Sequence, residues 1–167
     1  MTMFHSQTAL AYNLEYVQDP PQSYEELVAW VEKNPGKFGY NGIKGGMSGV
    51  SFTVGWIYWK TGNYEKYAVT GPFDEAEVAT WESAYNDLAK FNKNVSFTAG
   101  NVGTLDALNR DEIWMGPVWV DMFFTFMNEG KLDPKIKMVL PEPGMPGQPI
   151  FYTWRNSGPY ILLSEPL

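Results

Sequence analysis

The sequence predicts an α/β fold. Segments of helical spacing alternate with short apolar runs of strand type along the 167 residues. Two helical segments open on N-terminal signals, Ser23 with Glu26 and Asp74 with Glu77. The length suits one domain, and a hydrophobic share of 44% is enough for a sizeable core.

TALAYN, Thr8 to Asn13, reads as a short strand. Pro20 and Pro21 end the extended segment, because a residue before proline is pushed away from helical geometry. Ser23 then caps a helix, and Glu26 completes a capping box. Tyr24, Leu27, Val28 and Val31 share one face of that helix, which Asn34-Pro35-Gly36 stops. KFGYNG is a strand that runs into a glycine-rich loop. VSFTVGWIYWKTG is a helix or a buried apolar segment; periodicity does not separate the two, and β-branched residues weigh against the helix. DEAEVATWESAYNDLAKFNK predicts one helix, with Asp74 as cap and Val78, Trp81, Tyr85 and Leu88 as its buried stripe.

TLDALNRDE predicts a short helix capped by Thr104, and IWMGPVWVD a buried strand broken at Gly116-Pro117. DMFFTFMNEG is a helix that Gly130 ends. IKMVLPEPG is a strand, PEPGMPGQP a rigid turn segment, and IFYTW a strand again. There is no internal repeat and no low-complexity tract.

Composition removes several function classes. The net charge is −7 without a basic run, which argues against nucleic acid as a partner. No apolar stretch reaches the roughly 20 residues of a membrane span. Cysteine is absent, which excludes a disulfide scaffold and a thiolate metal site and leaves the compartment open. His5 is the single histidine, so neither a histidine triad nor a zinc site is expected. No Gly-x-Ser-x-Gly elbow and no closely spaced carboxylate pair is present. No catalytic residue, metal ligand or cofactor is therefore predicted. Aromatic residues reach 16%, more than packing usually asks for, and such rings also serve as ligand platforms and interface anchors. Trp56 and Trp59, three apart, share a helical face and read as core.

Three ordered segments carry a resemblance: ALAYNLEYVQDPPQSYEELVAWVEKNPGKFGY, LNRDEIWMGPVWVDMFF and KMVLPEPGMPGQP. Together they resemble the extracellular solute-binding proteins of ABC importers, which have the type II periplasmic-binding fold. The likeness spans about Ala9 to Phe151. It implies a three-layer α/β lobe, a mixed sheet flanked by helices, standing as the second (C-terminal) lobe of a two-lobe receptor. Residues 1–14 would be the crossover or hinge segment, with Tyr12 and Asn13 on the hinge strand. Residues 15–150 would be the solute-binding lobe. Residues 151–167, ending YTWRNSGPYILLSEPL, depart from the family's return segment and read as truncated or atypical. The first lobe and a signal peptide are expected on a missing N-terminal part, because MTMFHSQTALAYN has neither a basic start nor an apolar block. The implied function is non-enzymatic solute binding for import, periplasmic or extracellular, with closure of two lobes and docking on an ABC permease.

In that frame the loop Gly45-Gly46-Met47-Ser48-Gly49 lies at the mouth of the cleft. Gly46 and Gly49 would let the backbone approach a ligand, and Ser48 and Ser51 would add hydroxyls. A helix starting near Ser48 would favour a polar or anionic group there. The alternative is a connector whose glycines serve tight turns. The Gly-Lys-Ser/Thr ending of a phosphate loop is missing. Tyr40 and Asn41 end the strand beside this loop and would line the cleft too. Gly116, Pro117, Trp119 and Asp121 form the second candidate group: Trp119 would stack on a solute, and Asp121 would meet a cation or cap the next helix. A sugar, a polyamine and a thiamine-like cation are all compatible. The alternatives are a free-standing interaction module whose exposed aromatic face would promote a homodimer and, behind it, a small α/β hydrolase.

Overall fold

The computed structural model describes residues 2–62, 65 and 74–151. One long strand, β1 (Thr2–Asn13), organises it. β1 pairs antiparallel with three partners. Thr8 to Tyr12 run against β4 (Met115–Trp119), with Thr8 opposite Trp119. Leu10 to Asn13 run on the other side against β5 (Ile136–Val139). The first half of β1, down to Gln7, pairs instead with β6 (Gly147–Phe151). β2 (Phe38–Tyr40) lies parallel to both β4 and β3 (Val95–Phe97). The strand order is β3–β2–β4–β1–β5, with β6 added on β1.

Helices cover both faces of this mixed sheet. On one face α1 (Tyr24–Lys33), α3 (Met47–Thr61) and α5 (Trp81–Phe91) enclose Leu10, Phe38, Tyr40 and Met115. On the other, α6 (Gly100–Asn109) and α7 (Val120–Asn128) enclose Ala11, Val118 and Ile136. Two short helices, α2 (Gly42–Gly45) and α4 (Glu75–Ala79), precede α3 and α5. None of the helices searched among the described residues is long and apolar enough to cross a membrane.

The aromatic surplus goes largely into the first core. Phe52 sits among Tyr40, Phe38, Tyr24, Phe91 and Trp56, with ring centroids 5.0, 5.4, 6.0, 6.0 and 6.4 Å away. Burying side chains of this size contributes roughly 1.5–3 kcal/mol each. Trp56 is buried as expected, and its indole N–H donates to the Ala84 carbonyl at 3.0 Å. Trp59 is partly buried and meets it edge-on, with centroids 5.0 Å apart. Burial also pushes the Tyr24 hydroxyl well above the ordinary phenol range.

Several expectations are met with small shifts. Ser23 caps α1 by accepting from Glu26 N–H at 3.2 Å. The Glu26 carboxylate reaches back to Gln22 N–H at 2.8 Å, one residue earlier than a capping box requires. VSFTVGWIYWKTG is helical within α3, despite its β-branched residues. Ser48, Phe52, Thr53, Trp56 and Ile57 are all buried, so packing around most of the helix outweighs local propensity.

Other expectations are corrected. The segment from Asp74 is two helices, not one. Thr80 divides them: its hydroxyl bonds the Glu77 carbonyl at 2.6 Å and its N–H bonds the same carbonyl at 3.0 Å. Of the expected stripe Leu88 is buried, Val78 and Trp81 are partly buried and Tyr85 is 42% exposed; Ala84 and Phe91 are the other buried residues of α5. Thr104 is not a cap; α6 starts at Gly100, and Thr104 is buried inside it within 2.7 Å of the Thr98 hydroxyl. Gly116-Pro117 does not break β4, which is buried from Met115 to Trp119. Met115 N–H donates to the Lys37 carbonyl just before β2, and two residues on Pro117 has no N–H to extend the pairing at Phe38–Met115; β4 continues because its other edge pairs with β1, Leu10 opposite Pro117. β6 begins at Gly147, inside the predicted turn segment, and Tyr152 to Leu167 lie outside the described residues.

Gly116 marks where the sheet and α6 press together. A Cβ at this position would stand 2.1 Å from the Gly39 carbonyl oxygen and 3.1 Å from Thr104. Gly116→Ala is expected to destabilise the chain by about 3 kcal/mol, read from the urea midpoint at unchanged slope.

Candidate functional site

Parallel strands β2, β3 and β4 end on one edge of the sheet. In open α/β sheets that edge is where ligands bind, because each strand gives way there to a helix start with free N–H groups. β2 leads to Asn41 and α2–α3, β3 to Thr98 and α6, and β4 to Trp119 and α7. β1 runs the opposite way and brings Thr8 level with Trp119.

An amide network joins the starts of α3 and α6. Asn41 donates through Nδ2 to Asn101 Oδ1 at 2.8 Å and to Ser48 Oγ at 3.2 Å. Asn101 Oδ1 also accepts from the Ser48 hydroxyl at 2.8 Å and from the Ser48 N–H at 3.3 Å. One carboxamide oxygen thus gathers three donors at two helix N-termini. Asn101 escapes the sequence reading, which starts this helix at Thr104.

The glycines make room for this network. A Cβ at Gly46 would meet Asn101 Oδ1 and Asn41 Nδ2, both at 2.6 Å. A Cβ at Gly49 would lie 2.1 Å from the Gly42 carbonyl oxygen and 2.4 Å from Asn41 Oδ1. The bare backbone therefore lets the start of α3 seat against Asn41 and Gly42. Ser48 and Ser51 are buried beneath the surface of this edge. Ser51 donates its hydroxyl to the Pro146 carbonyl at 2.7 Å. Two buried polar atoms, Asn41 Oδ1 and Thr8 Oγ1, have no hydrogen-bond partner among the described residues.

The remaining candidates separate by position. Tyr40 is buried, and its hydroxyl donates to Asn92 Oδ1 at 2.9 Å. Burial raises its pKa and the Asn92 bond works against that rise. Trp119 is 7% exposed and stands at the start of α7, opposite Thr8. Asp121 lies in the first turn of α7 and accepts a hydrogen bond from the Ser6 hydroxyl; its side chain caps no helix. Gly116 and Pro117 are buried within β4, opposite Ala11 and Leu10.

Tyr12 and Asn13 sit at the other end of β1, opposite Met115 and Ile136, away from the ribbon that β1 forms with β6. Asn13 is fully buried there, donating to Asp111 at 2.7 Å. Lys135 binds Asp111 and Glu15 beside it, and both carboxylates hold its ammonium above the usual lysine range.

Among the hollows along the described residues, two bear on the candidate residues. One, of 460 Å³, opens beside Asn41, Lys44, Asn92 and Phe97. Another, of 260 Å³, lies between α1, α3 and α5 against Trp56 and Trp59. There Lys60 stands 4.3 Å from the Trp59 ring centre and pairs with Asp87 at 3.0 Å. Among the described residues no group of three or more His, Asp or Glu side chains is placed to hold a metal ion.

Residues 3–158 match the family model for bacterial extracellular solute-binding proteins. The chain belongs to that family. Its fold is shared by an extracellular solute-binding protein from Bordetella parapertussis, with 18% identity and a TM-score of 0.63. The match covers 89% of this chain and 42% of that one. A periplasmic thiamin binding protein aligns at 15% identity and TM-score 0.61, over 89% of this chain and 40% of its own. A spermidine/putrescine substrate-binding protein from Streptococcus pneumoniae aligns at 11% and 0.59, over 88% and 39%. The chain thus spans about two fifths of the length of these solved structures. No match is found among curated proteins.

Asn101→Ala removes the shared acceptor and leaves the buried Asn41 and Ser48 groups short of a partner. It is expected to cost roughly 2–3 kcal/mol in chemical denaturation. Asn101→Asp keeps the acceptor and places a charge that helix starts favour, so it is expected to hold stability near wild type.

Proposed function

We propose that this chain is the solute-binding lobe of a two-lobe receptor for ABC-type import, and that it binds its solute without transforming it. The observation that carries the reading is the edge where α3, α6 and α7 begin, with the first two starts bridged by Asn41, Ser48 and Asn101. Helix starts and carboxamides hold polar groups in place and supply no nucleophile or base. Family membership supports the same reading.

Tyr40, Asn41, Gly46 and Trp119 form the wall of the cleft in this proposal, with Ser48 and Gly49 supporting it from beneath and Gly116 and Pro117 from within β4. In this proposal residues 15–150 are the lobe, residues 1–14 the crossover or hinge segment that leads into it, and residues 151–167 an atypical return segment. The partners are a small solute, a first lobe that closes over it, and an ABC permease, in the periplasm or outside the cell. Ile43, Met47 and Phe97 are 57%, 49% and 64% exposed around the same edge. Apolar side chains grouped there favour a second body facing them, the first lobe or, in the alternative arrangement, a second copy of this chain. A sugar, a polyamine and a thiamine-like cation are the solute classes carried forward; the named ligands of two structural neighbours agree with the last two.

The test is thermal denaturation of the chain with monosaccharides, spermidine and thiamine at millimolar concentration, followed by mass spectrometry of the solute. One class is expected to raise the midpoint, approaching about 2.7 kcal/mol at a hundred times its Kd, and to be recovered unchanged. No stabilisation by any class, or chemical conversion of one, overturns the proposal.

A further inference from the structure

We infer that Ser51 and Asp121 are positioning residues that fasten the ribbon of β1 and β6 to the starts of α3 and α7. The functional weight of this inference rests on the two-lobe reading, in which the ribbon is what leads to the other lobe.

β1 changes partners between Gln7 and Thr8. Up to Gln7 it pairs with β6, and from Thr8 it pairs with β4. The ribbon therefore joins the main sheet at one point, and that point is braced. Ser6, 5% exposed, donates its hydroxyl to the Asp121 carboxylate on α7. Ser51, 4% exposed, donates from α3 to the carbonyl of Pro146, the residue just before β6. Gln7 Nε2 ties β1 to the segment that leads into β6, donating to the Met145 carbonyl at 2.5 Å, and also donates to the Thr8 carbonyl at 3.0 Å. Gly147 lets them close up, since a Cβ there would lie 2.8 Å from the Ser6 carbonyl oxygen.

Each strand of the ribbon is thus held by a different helix. Those helices lie on opposite faces of the sheet, and their starts flank the candidate site. The Asp121 carboxylate and the Ser51 hydroxyl are engaged in holding the ribbon. Any solute that shifts the starts of α3 or α7 also bears on the direction in which the ribbon leaves the lobe. A hydrogen bond to a carboxylate is stronger than a neutral one, which suits Asp121 to this work.

Hydrogen exchange on this chain tests the inference without any solute. Asp121→Ala and Ser6→Ala are each expected to speed exchange of the ribbon amides by about tenfold. The double variant should do no more than either alone, because both remove one bond. Asp121→Asn keeps an acceptor and should keep the protection. Ser51→Ala should loosen β6 at Gly147, while the amides of α1 and β2 exchange as in wild type. Unchanged ribbon protection in Asp121→Ala and Ser51→Ala, or equal acceleration through the whole chain, overturns the inference. Absence of any binding solute would leave these rates as they are, so the two readings fail separately.

Discussion

The structure depends on β1 pairing with three strands in turn. Its first half pairs with β6, and Leu10 to Tyr12 stand between β4 and β5, so the buried backbone there has a strand on either side. Leu10 and Ala11 are both fully buried and lie in opposite cores, so neighbouring residues of one strand hold the two helical layers together. β4 takes its register from β1, β2 takes its place from β4, and the helix starts follow from where those strands end. The candidate site is a consequence of this arrangement as much as of its own residues.

At the site, polar atoms and bare backbone depend on each other. Gathering Asn41, Ser48 and Asn101 within hydrogen-bond reach brings two helix starts close together. That closeness excludes a side chain at positions 46 and 49. The glycine cluster is therefore a condition for the network. The same economy holds at the ribbon junction, where Gly147 admits the close pairing that Gln7 then secures.

Much of this was legible in the sequence where the signal is local. The Ser23 cap, the strand at Phe38–Tyr40 and the helix ended by Gly130 all rest on nearest-neighbour chemistry. The glycine loop announced a close approach, though not what approaches. The misreadings have physical causes. Apolar spacing runs unbroken through Thr80, where the chain divides into two helices and the Thr80 hydroxyl bonds the Glu77 carbonyl. Pro117 reads as a break until the strand is seen to be carried past it by β1 on its other edge. Asn101, and the engagement of Ser51 and Asp121, involve partners 53 to 115 positions away, beyond any local pattern.

The most direct test of where this lobe meets its solute is fluorine NMR of the chain carrying fluorinated tryptophan. Trp119 stands at the proposed edge, and Trp56 and Trp59 line the separate cavity between α1, α3 and α5. Titration with a stabilising solute is predicted to move the Trp119 resonance and leave those of Trp56 and Trp59 in place. Movement of Trp56 and Trp59 with Trp119 unmoved would contradict the account and put binding in the cavity between the helices.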